Sequence, residues 1–524
     1  MHRSTAMQQV TEHWSVSKHS VCSQRGVVAA QDIRAAAIGA QVLNNGGNAV
    51  DAAVATALAL GVVEPWMCGL GGSGYLLVHQ ASTGAAEVFD FQGVLPAAID
   101  AADYPLDSQI PVSTMGFPGV KNHLNTVGYR SISIPGAIKG LCAALDTYGS
   151  TSLDTLLSPV IDLAHHGVHA SWFTTLQIAL AARELSADPA ASQLFLRNGI
   201  PLQPESLLSN QPLAASLSIL ADDGPDAMYG GTLGVQMVED LQAGGSVIEL
   251  DDLASYQVLR SDSLAAMHRG YQVHTAGPTS GGPRLLDMLA YSEKHLNPQN
   301  DLNSHSWTTY AHGLHQAWQA HSRRIGRVTE VGGCTTHLGV VDAEGNMVAL
   351  TYTLLSRFGS GVLLPRSGIQ MNNAVSYFDP RPGYPTSMAP GRRINASNMC
   401  PTIALDTNGN AFAVGASGAN FIVPCTAVIS ALMIDYGLSL EQAVSHARID
   451  VSEQGTVRAD PRIGQSVIDA LSAEFPVELS QRLVFPKLYA CPSGVSRDGA
   501  TGKLYGINDP SQPIGGAVSA EQAG

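Results

Sequence analysis

The chain has 524 residues, of which 45% are hydrophobic and only 14% charged, and its formal net charge is −15. At about 150 residues per domain this length allows roughly three domains, and the composition suits a large buried core. The longest clusters of positive charge are the pairs Arg323-Arg324 and Arg392-Arg393. Because a phosphate-binding surface needs concentrated positive charge, nucleic-acid binding is not expected.

No membrane-spanning or secretory segment is expected either. The longest strongly apolar run, residues 52–63, is shorter than the roughly 20 residues that span a bilayer, and residues 1–25 lack an apolar stretch. The seven cysteines are scattered without a C-x-x-C pair, and the 17 histidines show no H-E-x-x-H pattern. We therefore expect no disulfide framework, no metal and no other cofactor, and a reducing cytoplasm as the location.

In chain order, the hydrophobic periodicity predicts helices in the first part of the chain and strands after residue 335. Helices are predicted at residues 33–43, 48–60, 138–148, 153–165, 173–185, 302–324 and 421–435. Strands are predicted at residues 75–78, 88–91, 336–342, 347–354, 368–371, 402–405 and 411–414. Residues 379–398 are predicted to form a long loop, and loops of this length inside a compact domain are usually functional or disordered. This order of helices, sheets and helices indicates a layered α+β architecture.

Two glycine motifs resemble known signatures but lack the context that those need. Residues 69–74 match the dinucleotide pattern G-x-G-x-x-G, yet a helix precedes them and a strand follows, the reverse of the required order. Residues 415–419 match the nucleophile elbow G-x-S-x-G, but Pro424 interrupts the helix that should follow Ser417. His446 and Asp450 also come in the wrong order for a triad. A tight structural turn and a non-catalytic serine are the favoured interpretations.

The segment Gly332-Gly333-Cys334-Thr335 places a threonine after a flexible glycine pair, at the start of a predicted strand. If the chain is cut before Thr335, that residue gains an α-amine with a pKa of about 7.7–8.0, which can act as base for its own hydroxyl. The same hydroxyl can make the cut by attacking the Cys334 carbonyl. Spacing alone favours an ordinary exposed strand start, since many strands begin with threonine.

The predicted hairpin brings a second threonine near. With Glu344-Gly345 as a two-residue turn, Asp342 pairs with Met347 and Thr336 stands opposite Thr353. Thr335 then lies one step away from Thr353, and the two side chains point to opposite faces of the sheet. A β-bulge or a released strand end is required to bring them together.

Several longer motifs carry a resemblance to a known family. They include Gly46-Gly47-Asn48-Ala49-Val50-Asp51, Glu64-Pro65 followed by residues 69–74, Thr335-Thr336-His337 and Met371-Asn372-Asn373. Over nearly its whole length the chain resembles the γ-glutamyltransferase (glutathione hydrolase) family. The resemblance implies a four-layer αββα N-terminal-nucleophile hydrolase sandwich. It also implies a proenzyme cut into a large subunit, residues 1–334, and a small subunit, residues 335–524, which form one intertwined domain.

The resemblance also assigns roles to residues. Autocleavage would fall between Cys334 and Thr335, and Thr335 would be both nucleophile and, through its amine, base. Thr353 matches the family threonine that orients the nucleophile. Gly418 and Ala419 stand where the family has a glycine pair whose backbone N–H groups form the oxyanion hole, and alanine keeps that N–H. The partner of the site would be a small-molecule amide.

The family pocket that grips the γ-glutamyl zwitterion is largely lost. An arginine is replaced by Gln92, a serine pair by Ser397-Asn398, and three polar residues on the α-amino side by Leu355, Ala374 and Tyr377. An ammonium group buried against Leu, Ala and Tyr without partners would cost several kcal/mol. We therefore expect hydrolysis of an amide whose acyl part lacks this zwitterion, as in family members that are cephalosporin acylases or oxamate amidohydrolases.

Three alternatives stay open at this point. Arg357 is either a ligand for a different substrate carboxylate or, as the favoured interpretation, a solvent-facing loop arginine. The protein could be an ordinary glutathione hydrolase or γ-glutamyltransferase in which other residues replace the missing contacts. It could also be a non-catalytic relative that never matures and serves as a binding protein.

Overall fold

A computed structural model describes residues 16–112, 116–298, 301–325, 334–451 and 455–521, so the predicted flexible approach at Gly332-Gly333 lies outside the described residues. The strands, in chain order, are β1 (Val21–Ser23), β2 (Gly26–Ala30), β3 (Ser73–His79), β4 (Ala86–Phe91), β5 (Val168–His169), β6 (Leu196–Arg197), β7 (Ile200–Pro201), β8 (Leu207–Leu208), β9 (Leu259–Asp262), β10 (Leu264–His268), β11 (Tyr271–Thr275), β12 (Cys334–Asp342), β13 (Met347–Leu355), β14 (Thr402–Asp406), β15 (Ala411–Ser417), β16 (Ile449–Val451), β17 (Val457–Ala459), β18 (Val477–Leu479), β19 (Cys491–Arg497), β20 (Leu504–Asn508) and β21 (Gly516–Ser519).

The α-helices, in chain order, are α1 (Ile33–Asn44), α2 (Ala49–Val63), α3 (Ala137–Tyr148), α4 (Leu153–His166), α5 (Trp172–Leu180), α6 (Ala182–Ser186), α7 (Pro189–Phe195), α8 (Gln211–Asp223), α9 (Asp226–Tyr229), α10 (Thr232–Ala243), α11 (Leu250–Ala254), α12 (Gly282–His295), α13 (Ser304–Ile325), α14 (Ile422–Tyr436), α15 (Leu440–Ser445) and α16 (Gln465–Glu474).

Two seven-stranded antiparallel sheets form the centre of the molecule. The first has the order β21-β2-β12-β13-β3-β4-β9 and the second β1-β20-β19-β15-β14-β11-β10. Strands β12 and β13 pack on β15, so the sheets stack face to face, while α1, α2 and α3 cover the first sheet and α12, α14 and α15 the second. This is the expected αββα sandwich. Both sheets combine strands from before and after Thr335.

The helices beside the sheets follow from local sequence. Asn48 accepts hydrogen bonds from the N–H groups of Val50 and Asp51, and Asp51 accepts from the N–H of Asn48, so a capping box starts α2. Helix α2 is apolar all round and almost entirely buried. The segment Ala419–Tyr436 meets the length and composition of a membrane span, but 72% of it is buried inside the fold against the second sheet.

The hairpin that carries the threonines has a different register from the expected one. Val341, not Asp342, pairs with Met347, because the loop has three residues and ends at Gly345 with φ 88°. A left-handed glycine at the end of a three-residue loop is a common hairpin connection. The expected pairing of Thr336 with Thr353 is therefore wrong, and Thr336 stands opposite Tyr352.

Other predicted elements also differ. Residues 368–371 form only isolated bridges to neighbouring segments and no strand. Strands β9 to β11 were not predicted, since β9 and most of β10 are exposed and lack apolar alternation. Residues 379–398 contain neither helix nor strand, as expected, but much of this loop is buried against the sandwich.

Candidate active site

The peptide bond between Cys334 and Thr335 lies in a β-bulge at the start of β12. Here one residue of β12, Thr335, stands opposite two residues of β13, Thr353 and Leu354. Such a bulge re-aims side chains at the end of a ladder. The β-bulge that was expected to be needed to bring Thr335 and Thr353 together is therefore present. It arises from a strand register that the sequence analysis did not predict.

Thr353 contacts the carbonyl that a self-cleaving threonine would attack. Its Oγ1 donates a hydrogen bond to the carbonyl oxygen of Cys334 and accepts one from the N–H of Leu355 at 2.7 Å. The side chain of Thr353 is fully buried, and Thr335 is only 4% exposed. A donor that is fixed on a carbonyl oxygen in a dry site stabilises the negative charge that develops there during attack.

His337, two residues after Thr335, does not serve as a base. Its Nδ1 lies 2.8 Å from Thr351 Oγ1, and burial lowers the pKa of the imidazole to about 3. The ring also packs so closely on Gly415 that a Cβ there would lie 2.3 Å from it. This histidine therefore stays neutral and packs between the sheets.

The turn after β15 resembles a nucleophile elbow more closely than the sequence indicated. Gly418 and Ala419 have φ of 132° and 52°, and Ala419–Phe421 forms a short 3-10 helix that leads into α14. The expectation that Pro424 would prevent a helix here is wrong, because Pro424 lies in the first turn of α14, where its missing N–H is tolerated. No histidine in the described ranges bonds Ser417, so a triad is still not formed.

The glycine run at residues 69–74 forms a tight turn beside the bulge. A Cβ at Gly72 would lie 2.7 Å from the carbonyl oxygen of Thr353, and one at Gly74 would lie 2.4 Å from that of Thr351. As expected, α2 precedes the turn and β3 follows it. The glycines therefore allow close backbone packing under Thr353. The N-terminus of α3 meets this turn, but its Gly136 and Ala137 N–H groups donate to the Gly72 carbonyl oxygen, so they are not free to bind a phosphate.

A cavity of about 400 Å³ opens between Cys334 and Gly418. It is lined by apolar, aromatic and polar side chains with two cations: Met67, Phe173, Gln177, Cys334, Ser356, Arg357, Ser417, Gly418, Phe421, Val484, Phe485, Pro486, Lys487 and Tyr489. Arg357, whose role the sequence leaves open, is half-buried and lines this cavity. We refer to this space as the cationic cavity.

A buried acid lies behind the bulge. Glu64 accepts hydrogen bonds from Thr336 Oγ1 at 3.1 Å and from Gln512 Nε2 at 3.2 Å. Burial, and next the nearby carboxylate of Asp32, raise the pKa of Glu64 to about 8. Gln512 Oε1 in turn accepts from Lys487 Nζ, so a chain of hydrogen bonds joins the cationic cavity to the residue after Thr335.

The positions that the resemblance assigns to the γ-glutamyl pocket are buried in this protein. Leu355, Ala374 and Tyr377 belong to an apolar cluster between the sheets, together with Met399. Gln92 is fully buried, its Nε2 lies 3.6 Å from the Met399 sulfur, and its Oε1 has no partner. None of these side chains offers a charge to a zwitterion.

Ser397 and Asn398 contact an arginine that sequence reasoning missed. Arg284 donates to Asn398 Oδ1 at 2.5 Å and to the carbonyl oxygen of Ser397 at 3.3 Å. Its guanidinium lies 4.7 Å from the Trp318 ring centre, and burial lowers its pKa to about 9. Part of the Asn398 amide is therefore already used inside the protein.

Sequence reasoning also missed Lys487, Gln512 and the role of Glu64. Glu64 stands in a motif that carries the family resemblance, which was the one available signal. Lys487 and Gln512 lie far along the chain from Thr335, and no local pattern marks them. Among the residues that the structure describes, no group of three His, Cys, Asp or Glu side chains is arranged to hold a metal ion.

Comparisons with known proteins agree with this geometry. The family model described as gamma-glutamyltranspeptidase matches residues 35–331 and 315–518. The chain is 32% identical to the acylase ACY 1 proenzyme of Pseudomonas sp. (strain SE83), over 88% of each chain. It is 28% identical to the glutathione hydrolase proenzyme of Escherichia coli (strain K12), over 94% of this chain and 91% of that one.

Among solved structures, a cephalosporin acylase from Bacillus halodurans superposes with a TM-score of 0.85 at 21% identity. The superposition covers 98% of this chain and all of that one, and at this identity it supports the fold. The αββα sandwich, the family model and the similar hydrolytic enzymes lead to one conclusion. The chain is an enzyme of the γ-glutamyltranspeptidase family and has the N-terminal-nucleophile hydrolase fold.

Proposed function

We propose that this protein is a self-processing N-terminal-threonine amidohydrolase whose acyl pocket does not accept a γ-glutamyl zwitterion. The observation that carries the proposal is the hydrogen bond from Thr353 Oγ1 to the Cys334 carbonyl oxygen, beside the buried Thr335. It supports both the site of cleavage and the identity of the attacking residue.

Maturation begins when Thr335 Oγ1 attacks the carbonyl carbon of Cys334. Thr353 stabilises the negative charge on the carbonyl oxygen, the hydroxyl proton passes to the departing nitrogen of Thr335, and the C–N bond breaks. The resulting ester joins the Cys334 acyl group to Thr335 Oγ1. Water then hydrolyses this ester, which leaves a carboxylate on Cys334 and frees both the amine and the hydroxyl of Thr335.

Turnover repeats this chemistry on a substrate. The α-amine of Thr335, with a pKa of about 7.7–8.0, accepts the hydroxyl proton while the oxygen attacks the substrate amide. The N–H groups of Gly418 and Ala419 donate to the oxyanion, and the proton moves to the leaving amine. Water then releases the acid from Thr335. The whole reaction consumes one water and needs no other reactant.

The two subunits, residues 1–334 and 335–524, are proposed to remain together after cleavage. In the first sheet, β12 is hydrogen-bonded between β2, from the large subunit, and β13, from the small subunit. The second sheet likewise pairs β11 with β14. Separating the subunits would break both ladders and expose the apolar layers between them, so one intertwined domain is expected.

The altered pocket is inferred from what fills the family's positions. Leu355, Ala374 and Tyr377 are buried in an apolar cluster, and no acid among them can pair with an ammonium group. A buried cation without a partner costs several kcal/mol. An ordinary glutathione hydrolase is therefore the weaker candidate, although relatives with that name support testing it.

A denaturing gel combined with a substrate panel tests the proposal. Wild type should give two bands of 334 and 190 residues, the second being the remainder of 524, and Thr335→Ala should give one. Thr335→Ser, which keeps a hydroxyl, should still cleave, and Thr336→Ser is the matched control. Active, uncleaved wild type would refute the nucleophile, and efficient turnover of γ-glutamyl-p-nitroanilide would refute the altered pocket in favour of a glutathione hydrolase.

A further inference from the structure

The cationic cavity contains two positive charges and no acid to balance them. Arg357 Nε donates to Gln177 Oε1 at 2.9 Å, and neither terminal nitrogen of its guanidinium bonds a residue in the described ranges. Lys487 Nζ donates to Gln512 Oε1, which leaves two of its three N–H groups. No carboxylate lies among the lining residues. The Glu64 carboxyl, which lies behind Gln512, interacts with Lys487, but burial raises the pKa of Glu64 to about 8 and keeps it mainly neutral at pH 7. Two half-buried cations with no carboxylate among the lining residues therefore provide a site for an anion.

The rest of the wall determines what kind of anion fits. Phe173, Phe421 and Phe485 line the cavity together with other apolar side chains, and Lys487 Nζ lies 5.0 Å from the centre of the Phe173 ring. A small hydrated ion would leave these aromatic surfaces in contact with water. A carboxylate attached to an apolar or aromatic group would cover them and meet both cations.

The cavity is also directly connected to the reacting atoms. Cys334 on one side of the scissile bond and Gly418 of the proposed oxyanion hole both line it. The positive charges of Arg357 and Lys487 act on the Cys334 thiol, where they oppose the rise in its pKa caused by burial. A molecule bound here therefore lies within a few side chains of Thr335.

We propose that the cationic cavity is the substrate subsite for a carboxylate attached to an apolar group, with Arg357 and Lys487 as its ligands. This proposal rests on the proposed amidohydrolase function and names its substrate class: amides that carry a carboxylate beside an aromatic or branched apolar group. The carboxylate belongs to the acyl half or to the amine half of the amide, and matched substrates of both kinds distinguish these two cases.

Binding can be tested without turnover. The full-length Thr335→Ala precursor retains the cavity, and isothermal titration compares phenylacetate with the neutral phenylacetamide. Phenylacetate is expected to bind about tenfold more tightly, because charge-assisted hydrogen bonds are roughly twice as strong as neutral ones. Arg357→Gln and Lys487→Gln should each remove most of this preference, and the double variant all of it. Arg357→Lys should retain part.

An exposed arginine provides the matched control. Arg366 pairs with Glu239 and Asp240 on the surface, so Arg366→Gln removes one positive charge elsewhere and should not change the preference. Equal binding of the acid and the amide, or a preference that survives in the double variant, would overturn the subsite. Because wild type has the same cavity, competition by phenylacetate in turnover assays gives a second measurement that is independent of variant folding.

Matched substrates then distinguish the two halves. One pair compares the p-nitroanilide of phenylsuccinic acid with its carboxamide, and the other compares N-acetylphenylalanine with N-acetylphenylalaninamide. In one of the two pairs, the acid should have a KM about tenfold lower than that of its neutral amide, with a similar kcat. Arg357→Gln should remove this difference in KM. Turnover of both pairs without preference for the acid would overturn the proposal. A wild type that never cleaves refutes the amidohydrolase instead, while the titration still reports on the cavity.

Discussion

The two sides of Thr335 offer a ligand very different surroundings. On one side, the positions of the family's γ-glutamyl pocket are buried, and Leu355, Ala374 and Tyr377 form part of an apolar cluster. On the other side, Arg357 and Lys487 line an open cavity without a balancing acid. Cys334 belongs to both surroundings, because it lines the cavity and pairs with Leu355 in the β12–β13 ladder. The difference teaches where the proposed recognition would lie: at the cationic cavity and not at the apolar cluster, while the proposed reacting groups keep their places.

The first test introduces a carboxylate into the apolar cluster that contains Ala374. Ala374→Glu should destabilise the protein by about 3–5 kcal/mol relative to Ala374→Gln at pH 8, because a carboxylate of similar size is buried without a partner. Folding raises the pKa of this new acid, so the penalty should shrink as pH falls and be largely gone below about pH 4, where the group is protonated even in the unfolded chain. Urea unfolding of both variants at the two pH values measures this. If Ala374→Glu instead gained γ-glutamyl turnover at unchanged stability, the buried side would be a working pocket.

The proposed cleavage between Cys334 and Thr335 is expected to depend on the hydroxyl of Thr353. Thr353→Val keeps the shape but removes the hydroxyl that donates to the Cys334 carbonyl oxygen. Loss of one oxyanion donor typically slows a reaction by about 10²–10³-fold, so the two bands on a gel should appear at least about 100-fold more slowly. Thr353→Ser is the control and should cleave within about tenfold of wild type. Cleavage of the valine variant at the normal rate would separate Thr353 from the chemistry.

The buried acid behind the bulge should make stability depend on pH. Glu64 has its pKa raised from an ordinary 4.5 to about 8 in the folded chain. The unfolded state therefore loses its proton first, and the contribution of this group to stability is complete below pH 4.5 and falls as pH rises to 8, by about 1.4 kcal/mol per unit. Glu64→Gln in the Thr335→Ala precursor should flatten this part of the profile of unfolding free energy against pH. An unchanged slope would mean that Glu64 is ionised throughout.

Much of the fold follows from local sequence signals. The capping box at Asn48 and the apolar periodicity place α1 and α2 to within three residues, and alternation places β12 and β13 to within two. Of the strands that were missed, β11 and β19 are largely buried, β9 has exposed faces, and β1, β2 and β21 pair with partners far along the chain. Pairing partners hundreds of residues apart leave no local trace.

Some residues of the candidate site could also be identified from the sequence, whereas others could not. Thr335 and Thr353 were identified from motifs, but their geometry depends on the three-residue loop that ends at Gly345, which a two-residue turn misplaces by one step. Lys487 could not be predicted, since only the folded chain brings it beside Cys334. Arg357 had the right chemistry in the sequence, but its burial depends on residues such as Gln177 from another part of the chain.

The smallest predicted effect concerns the two residues that would donate to the oxyanion. Ala419 has φ 52°, which costs an alanine roughly 1 kcal/mol, whereas a glycine adopts it freely. Ala419→Gly should therefore keep kcat within about twofold, since the backbone N–H remains. It should change the unfolding free energy by at most about 1 kcal/mol, because the greater freedom of glycine in the unfolded chain offsets part of the backbone strain that is removed. Gly418→Ala is the contrasting variant: its Cβ would lie 2.9 Å from the Ala490 Cα at φ 132°, so the turn must shift and kcat should fall at least about tenfold. Steady-state kinetics with one amide substrate compares the two. If Ala419→Gly lost activity as severely as Gly418→Ala, the alanine side chain would be needed to hold the turn, and donation by the backbone alone would not explain the site.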